Sequence, residues 1–365
     1  MQTAVRYRRS PGAVIYWAGS QAVCFIWQSA QRIPISIQVA GVLQELSEWT
    51  SSAEFRDRIS PDGDLATIEE TIGLLHGLRL IEREGDETNA EWHEWSPEAA
   101  FFHFATKNGV FPEDLGARDR ELVEKVKQQP QPNPTKRMAG PRVQLPRLDP
   151  ADADLTTTLA KRRTWRNFAE QPVPAAALGT LLDATFGVQR HGRVPDQGPI
   201  ILRTSPSGGS RHPIEAYVLA WNVEGLTPGA YHYDSDAKEL VDLQRPIASR
   251  DIAPLLAHQT YFAGAAAITI MCPVFARTRW RYGHSRAYRT VLIDAGHLGQ
   301  TFCLVATALG LAPFTTMAFS ESAIEDLLGL DGINECPIYV AGVGMPDPAA
   351  AAAPGRFDFG RELGS

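Results

Sequence analysis

Between Gln128 and Pro150 the chain reads QQPQPNPTKRMAGPRVQLPRLDP, and its repeated prolines forbid a regular helix or a central strand there. The stretch is expected to run as a linker, or as an extended arm over a surface. It separates a smaller N-terminal part from a larger C-terminal one, and 365 residues suit about two domains. The two parts differ in charge. Residues 1–100 hold 8 Lys+Arg against 15 Asp+Glu, net −7, and the remainder hold 27 of each, which together give the net −7 of the whole chain. An acidic N-terminal part is poorly suited to nucleic-acid phosphates, where affinity comes mainly from Lys and Arg.

Residues 1–95 are expected to form a small winged-helix-like domain. Two β-rich runs, Ala13 to Trp17 and Ala22 to Trp27, flank Gly19-Ser20 as a hairpin. Val39, Val42, Leu43 and Leu46 then recur at helical spacing, as do Ile68, Ile72, Leu75 and Leu78, with a wing strand starting near Leu80-Ile81. Such a unit binds DNA, binds a peptide or only packs. Residues 96–151 read as a connecting segment that includes the proline-rich stretch. The aromatic run EWSPEAAFFHFATKN (Glu94 to Asn108) is expected to pack on the C-terminal body. The basic start of the chain breaks at Ser10-Pro11-Gly12 before any apolar signal core, and no later segment reads as a membrane span. Four cysteines at 24, 272, 303 and 336 show no paired spacing, so no zinc site or disulfide framework is signalled, and a reduced cytoplasmic setting is expected.

The body spans residues 152–365. Leu155, Leu159 and Arg162 share one side of a helix, and Ala175 to Phe186 forms the next with Leu178, Leu181 and Leu182 inward. Ala216 to Trp221 reads as a strand, followed by a turn at Gly225 to Gly229 and a second strand, Ala230 to Tyr233. Ala265 to Cys272 suits a buried strand. Tyr288 to Leu309 reads as a long helix with Leu292, Ala295, Leu298 and Phe302 on one stripe, and Pro337 to Val343 as a last strand halted by Gly344-Met345-Pro346.

Walker A, G-x-G-x-x-G, H-E-x-x-H and G-x-S-x-G signatures are missing, which leaves nucleotide hydrolysis, Rossmann cofactor binding, zinc proteolysis and α/β-hydrolase chemistry without their usual marks. What remains is anion sites beside glycine- and hydroxyl-rich loops, a combination that suits a phosphorylated planar cofactor. Arg162, Thr164 and Arg166 offer two guanidinium forks and a hydroxyl, suited to a phosphate monoester or else to the end of a helix dipole. Arg356, isolated near the C-terminus, completes the clamp or is solvated. The loop Thr204-Ser205-Pro206-Ser207-Gly208-Gly209-Ser210-Arg211-His212-Pro213 is either an ordinary turn or a cradle that lets a flat or charged group approach the backbone. A second cluster, Arg277-Thr278-Arg279-Trp280-Arg281-Tyr282-Gly283-His284-Ser285-Arg286, leads into the long helix. It reads better as the lining of a polar-substrate pocket than as a nucleic-acid surface, with Tyr282 as an acid, base or hydrogen-bond donor. Asp294, His297 and Gln300 lie at i, i+3, i+6, and His297 is expected in a satisfied core network.

Taken together, RRTWRNF, SPSGGSRHPIEAY, GAYHY, RYGHSRAYR, DAGHLGQ and ALGL resemble the FMN-dependent nitroreductase superfamily, and within it the SagB-type dehydrogenases of peptide maturation, over roughly Leu155 to Pro346. The resemblance implies an α+β fold with a central, mainly antiparallel sheet flanked by helices, in a homodimer with FMN between protomers. By position Arg162, Thr164 and Arg166 hold the phosphate, with Arg356. Ser205, Pro206, Ser207, Gly208 and Arg211 serve the flavin of the neighbouring protomer. Thr315, Thr316 and Met317 face the flavin's other edge.

Azoline-oxidising members often carry Lys-Tyr where this chain has Arg281-Tyr282, and arginine does not release a proton readily. Tyr282 then acts alone, or the substrate is not an azoline. The expected function is an FMN-dependent oxidation of a ribosomally made precursor peptide, alongside other peptide-modifying enzymes, with oxygen taking back the electrons. The N-terminal domain would hold a leader peptide by strand addition, or only pack. Two rivals stand beside this reading: a stand-alone NAD(P)H-dependent reductase of nitro compounds, quinones or flavins, and a non-catalytic peptide-docking subunit. No metal, nucleic acid or membrane is expected as a partner.

Overall fold

The computed structural model describes residues 4–27, 29–86, 96–109, 113–149 and 153–347. The chain separates into two units, residues 1–111 and 112–365.

In the first unit, β1 (Arg6–Arg9) is followed by β2 (Ala13–Ala18), β3 (Gln21–Ile26) and β4 (Gln31–Ile35), then by α1 (Ile37–Glu45), β5 (Thr50–Ser51), α2 (Ser52–Ile59), α3 (Leu65–Gly77), β6 (Ile81–Arg83) and α4 (Pro97–Ala105). The expected hairpin is β2–β3, turned at Gly19 in the left-handed conformation (φ 61°), which glycine adopts without a Cβ penalty. β4 extends it to three antiparallel strands. A separate small sheet places β1 between β5 and β6, so the N-terminal strand occupies the centre between the two short strands that flank the helices. Ser51 and Glu54 form a reciprocal capping box that starts α2 immediately after β5. Leu43, Leu46, Phe55, Ile72, Leu80 and Ile81 make the core.

The expectation for the aromatic run is corrected here. α4 packs within the first unit: Phe101 lies 5.4 Å from Phe25, edge-on, and Phe104 stacks on Trp27 at 4.9 Å. The hairpin supplies aromatic faces of its own, which offset aromatic pairing satisfies.

The second unit runs α5 (Leu115–Gln128), β7 (Arg142–Val143), α6 (Leu155–Lys161), β8 (Phe168–Ala169), α7 (Ala175–Phe186), β9 (Arg190–Val194), β10 (Gly198–Leu202), β11 (Ile214–Ala220), β12 (Gly229–Asp234), β13 (Glu239–Arg245), α8 (Ile252–Leu255), β14 (Ala267–Pro273), α9 (Phe275–Arg281), α10 (Ala287–Ala308), β15 (Ala312–Thr316), α11 (Glu321–Leu328) and β16 (Tyr339–Pro346). An eight-stranded antiparallel sheet, β15-β16-β14-β11-β12-β13-β7 with β8 beside β16, is its centre. β11 and β14 are buried at every position, as continuous apolar strands covered on both faces must be. α7 and α10 cover one face, and α8 and α11 the other. β9 and β10 form a separate hairpin whose first strand is almost wholly exposed.

The proline-rich stretch is an extended arm on this unit. Pro141 accepts from Asp242 N at 2.8 Å, β7 joins the sheet edge, and Lys136 reaches Glu335 at 2.5 Å and Tyr217 at 2.7 Å. On α10 the buried stripe runs Val291, Ala295, Leu298, Phe302, Ala306, while Leu292, expected inward, turns outward. One residue along a helix is a rotation of about 100°, enough to leave a narrow apolar face. Contrary to expectation, α10 is long and apolar enough to cross a membrane by length and composition, and that same stripe is its contact with the core.

Candidate active site

α6 is started by Asp154, whose carboxylate accepts from Thr157 N at 2.6 Å, and it ends at Lys161. Arg162 leaves the helical backbone, and the strip that follows is pinned by a bond from Trp165 N to Pro313 O of β15, 3.0 Å long. Arg163 lies over Trp165 at 5.2 Å. Arg162, Thr164 and Arg166 have no hydrogen bond or ion pair from their side chains among the described residues. Their charge is left uncompensated. The pinning brings them beside Thr315 and Thr316, which are half-buried at the end of β15, and Met317, which is 70% exposed.

Two residues that carry no motif complete this patch. The Arg166 guanidinium lies 6.0 Å from the Tyr261 ring, whose hydroxyl donates to Gln259 Oε1 at 2.8 Å, while Gln259 Nε2 donates to Thr316 Oγ1 at 3.3 Å. Two guanidinium forks and a hydroxyl on one strip, with no carboxylate bonded to them among the described residues, are the donor set a phosphate monoester needs. The residues present therefore fit the phosphate end of FMN. Arg356 lies outside the described residues.

The Ser205–Pro213 loop is occupied differently. Ser205 is buried and its hydroxyl lies 2.7 Å from Thr301 Oγ1. Ser207 Oγ donates to Asp294 Oδ2 at 2.6 Å and accepts from His212 N at 2.8 Å, and Gly208 N approaches Asp294 Oδ1 at 3.4 Å. A Cβ on Gly208 would strike Thr290 Cγ2. One on Gly209, already left-handed at φ 61°, would come within 2.6 Å of the Tyr282 hydroxyl. The close approach that the glycines permit in this structure is thus to α10 and Tyr282. Arg211 is buried, bonds Gly209 O through Nε at 2.8 Å and lies over Trp280 at 5.7 Å. Pro206 is exposed.

Burial raises the Asp294 carboxyl, against the pull of Ser207 and Gly208. Asp294 is thus the core-network member of its helix. His297, expected there, is exposed, and its backbone carbonyl accepts from Ser205. Asp294 on α10 holds the loop; further along the same helix, burial raises the Cys303 thiol to about 11 and the Arg162 charge opposes that rise. Those two points are about 14 Å apart along the helix axis.

Tyr282 caps the C-terminus of α9, with Arg281 before it. Arg281 Nη1 donates to Gln197 Oε1 at 3.1 Å in the β9–β10 turn, and its Nε is buried without a partner. A phenol hydroxyl can give or accept a proton, whereas a guanidinium here can only hold charge and donate hydrogen bonds. Tyr282 also lines a cleft of about 430 Å³ between α9 and α10.

Behind the loop lies a buried charged layer that sequence reading missed. Glu215 on β11 pairs with Arg277 at 2.5 Å and with His232 at 2.9 Å, all three essentially buried. Burial alone would raise the Glu215 carboxyl, but Arg277, His232 and Arg203 outweigh it and hold it at about 2. Arg277 also donates to the His212 carbonyl at 3.2 Å, so the layer supports the end of the loop. Burial first, then Arg203, pushes the His212 ring down to about 3, so it is neutral near pH 7. Alternating apolar strands give no sign of such a layer. Its only trace in the sequence is Glu215 and His232 within otherwise apolar runs. Among the described residues no group of His, Cys, Asp and Glu is placed to hold a metal ion.

Residues 159–345 match the model of the nitroreductase family. A Methanocaldococcus jannaschii protein assigned as a nitroreductase, MJ1384, is 30% identical over 202 residues, 55% of this chain and 95% of its own. The trifolitoxin-processing protein TfxB of Rhizobium leguminosarum bv. trifolii is 33% identical over 144 residues, 38% of each chain. The microcin B17-processing protein McbC of Escherichia coli is 30% identical over 158 residues, 40% of this chain and 55% of its own. The chain thus spans less than two thirds of the length of these two peptide-processing relatives.

Proposed function

Because the chain belongs to the nitroreductase family, whose members are FMN-binding oxidoreductases, we propose that it is an FMN-dependent, SagB-type dehydrogenase. Its substrate is a ribosomally synthesised precursor peptide, oxidised by two electrons at an azoline or a related bond. The observation that carries this is an arginine strip whose side chains make no hydrogen bond or ion pair among the described residues, together with a loop against which Tyr282 is set. The peptide class is supported by relatives that process trifolitoxin and microcin B17.

When bound, the flavin supplies an acceptor for the hydride removed from the substrate. Arg162, Thr164 and Arg166, with Arg356, hold the phosphate. Thr315, Thr316 and Met317 border the ring system, and Ser205, Pro206, Ser207 and Gly208 present backbone to it, Arg211 bracing them from within. Tyr282 takes or relays the substrate proton. Arg281, held by Gln197, keeps positive charge beside that hydroxyl in place of a basic lysine. The loop serves the flavin of a second copy of the chain in a homodimer. Leu155 and Leu159 on α6 and Ile293 on α10 are exposed apolar side chains suited to that interface. The first unit, a winged-helix-like arrangement with an acidic composition, holds a basic leader segment of the precursor by adding it to a sheet edge. The enzyme works in the cytoplasm with other peptide-modifying enzymes.

The test is mass spectrometry of candidate precursor peptides incubated in air with purified protein and FMN. Loss of two hydrogens is expected. Protein that stays colourless after FMN is added, or a peptide of unchanged mass with flavin bound, contradicts the reading. MJ1384 is matched over 95% of its length by 55% of this chain, which favours a second reading, a free-standing NAD(P)H-dependent reductase. Rapid anaerobic bleaching of the bound flavin by NAD(P)H selects that one.

A further inference from the structure

The cleft between α9 and α10 has a composition that names its ligand. Phe275 and Tyr288 stack across it with centroids 5.6 Å apart and planes 20° from parallel, and Ile333 stands on its rim 79% exposed. Apolar surface of this kind gains free energy when covered, and about 430 Å³ falls in the range of small-ligand sites. Its lining residues include Arg279 and His284 but no carboxylate. Arg279 is exposed and has no hydrogen bond, ion pair or ring contact among the described residues, although four further arginines lie between residues 277 and 289. The Thr278 hydroxyl in the wall is buried and has no partner either, a state that a ligand's polar atom or a water relieves.

We infer that this cleft is a substrate subsite for an aromatic or branched aliphatic side chain with a carboxylate next to it, as in a peptide segment where an acidic residue follows an apolar one. The apolar side chain enters against Phe275, Tyr288 and Ile333. The carboxylate meets the Arg279 fork in the bidentate geometry that guanidinium favours. A basic segment is disfavoured, because it brings positive charge to Arg279 with no acidic residue among the described lining residues to pair with. Tyr282 belongs to the same wall, so a segment seated here puts its neighbouring bond beside the loop at Gly209. The inference rests on the protein acting on peptides, and it adds which peptides it selects.

The experiment uses the full-length chain and end-blocked, fluorescently tagged hexapeptides read by anisotropy: GGFDGG, its amide partner GGFNGG, and GGADGG. The acidic aromatic peptide is expected to bind about tenfold more tightly than the amide, the worth of one charge-assisted contact, and GGADGG to be weaker by a similar factor. R279Q, an exposed change whose fold is checked by circular dichroism, is expected to bring GGFDGG and GGFNGG to the same affinity. Equal affinities in the unmodified protein, no saturable binding, or a preference that survives R279Q each overturn the inference. Flavin content, read from visible absorbance of the same samples, is independent of this result. A protein that takes no flavin but keeps the acidic preference contradicts the dehydrogenase reading and leaves the subsite standing. The reverse outcome does the opposite.

Discussion

The arginine strip at 162–166 and the glycine loop at 205–213 both read in sequence as cofactor contacts, yet their polar groups are in opposite states. On the strip the side chains of Arg162, Thr164 and Arg166 are bonded to nothing among the described residues. In the loop Ser205, Ser207, Gly208 and Arg211 are all engaged by the chain's own Thr301, Asp294 and Gly209. A ligand at the strip would gain new charge-assisted bonds. A ligand at the loop meets a preformed backbone surface whose side chains are already spent holding its shape. The strip therefore governs affinity and the loop governs fit.

Four experiments probe that contrast, beginning with the most damaging. Glu215→Gln removes the countercharge of Arg277 and Arg203 beneath the loop. Breaking a buried pair in this way costs about 3–5 kcal/mol, so a large fall in denaturant midpoint is expected, with loss of the loop's order. A midpoint within experimental error of the parent's would show that the layer does not support the loop. Arg162→Ala with Arg166→Ala removes two charge-assisted contacts of about 1.5–3 kcal/mol each, so FMN affinity by absorbance titration is expected to fall by at least about a hundredfold. The melting temperature of flavin-free protein should hardly change, because neither side chain is bonded. If stability falls instead of affinity, the strip is structural.

Gly208→Ala drives a methyl into Thr290 Cγ2, and overpacking of this kind costs about 1–3 kcal/mol. Thr290→Ser vacates that methyl position, so the double variant is expected to recover most of the loss. Failure to recover would place the clash elsewhere.

The last effect is a pH dependence at the loop's end. His212 has its folded pKa lowered from 6.5 to about 3, so the unfolded chain takes up a proton first as pH falls. Its contribution to stability is complete above pH 6.5 and is lost as pH falls towards about 3. Glu215, lowered from 4.5 to about 2, acts in the same direction over a more acid window. His212→Asn, which tolerates the left-handed backbone found there at φ 42°, should flatten unfolding free energy between pH 6.5 and 4.5 while the more acid fall remains. An unchanged slope would remove His212 from the account.

How much of this could be read from the residues follows from what each signal depends on. α7 and the strands β11, β12 and β14 were legible because their apolar runs match the period of the element they form. The centre and one edge of the first unit's small sheet, β1 and β5, were not. A four-residue and a two-residue strand carry no period, and β1 is defined only by partners more than forty residues away. The partners of α4 were misplaced for a similar reason: an aromatic run says that something covers it, not which surface does. At the site, charged and glycine-rich motifs marked the strip and the loop, whereas Gln259 and Tyr261 join them only through the fold. Leu292 and His297 were assigned to the buried face of α10, and a rotation of one residue puts both outside it.

The central claim is that the strip recognises the phosphate of a flavin nucleotide, and the direct measurement is a comparison of FMN with riboflavin, which lacks that phosphate, by titration of the same flavin-free protein. FMN should bind at least about a hundredfold more tightly, the value of two charge-assisted contacts, and the Arg162→Ala, Arg166→Ala double variant should lose most of that preference. Equal affinity for FMN and riboflavin in the unmodified protein would contradict the account.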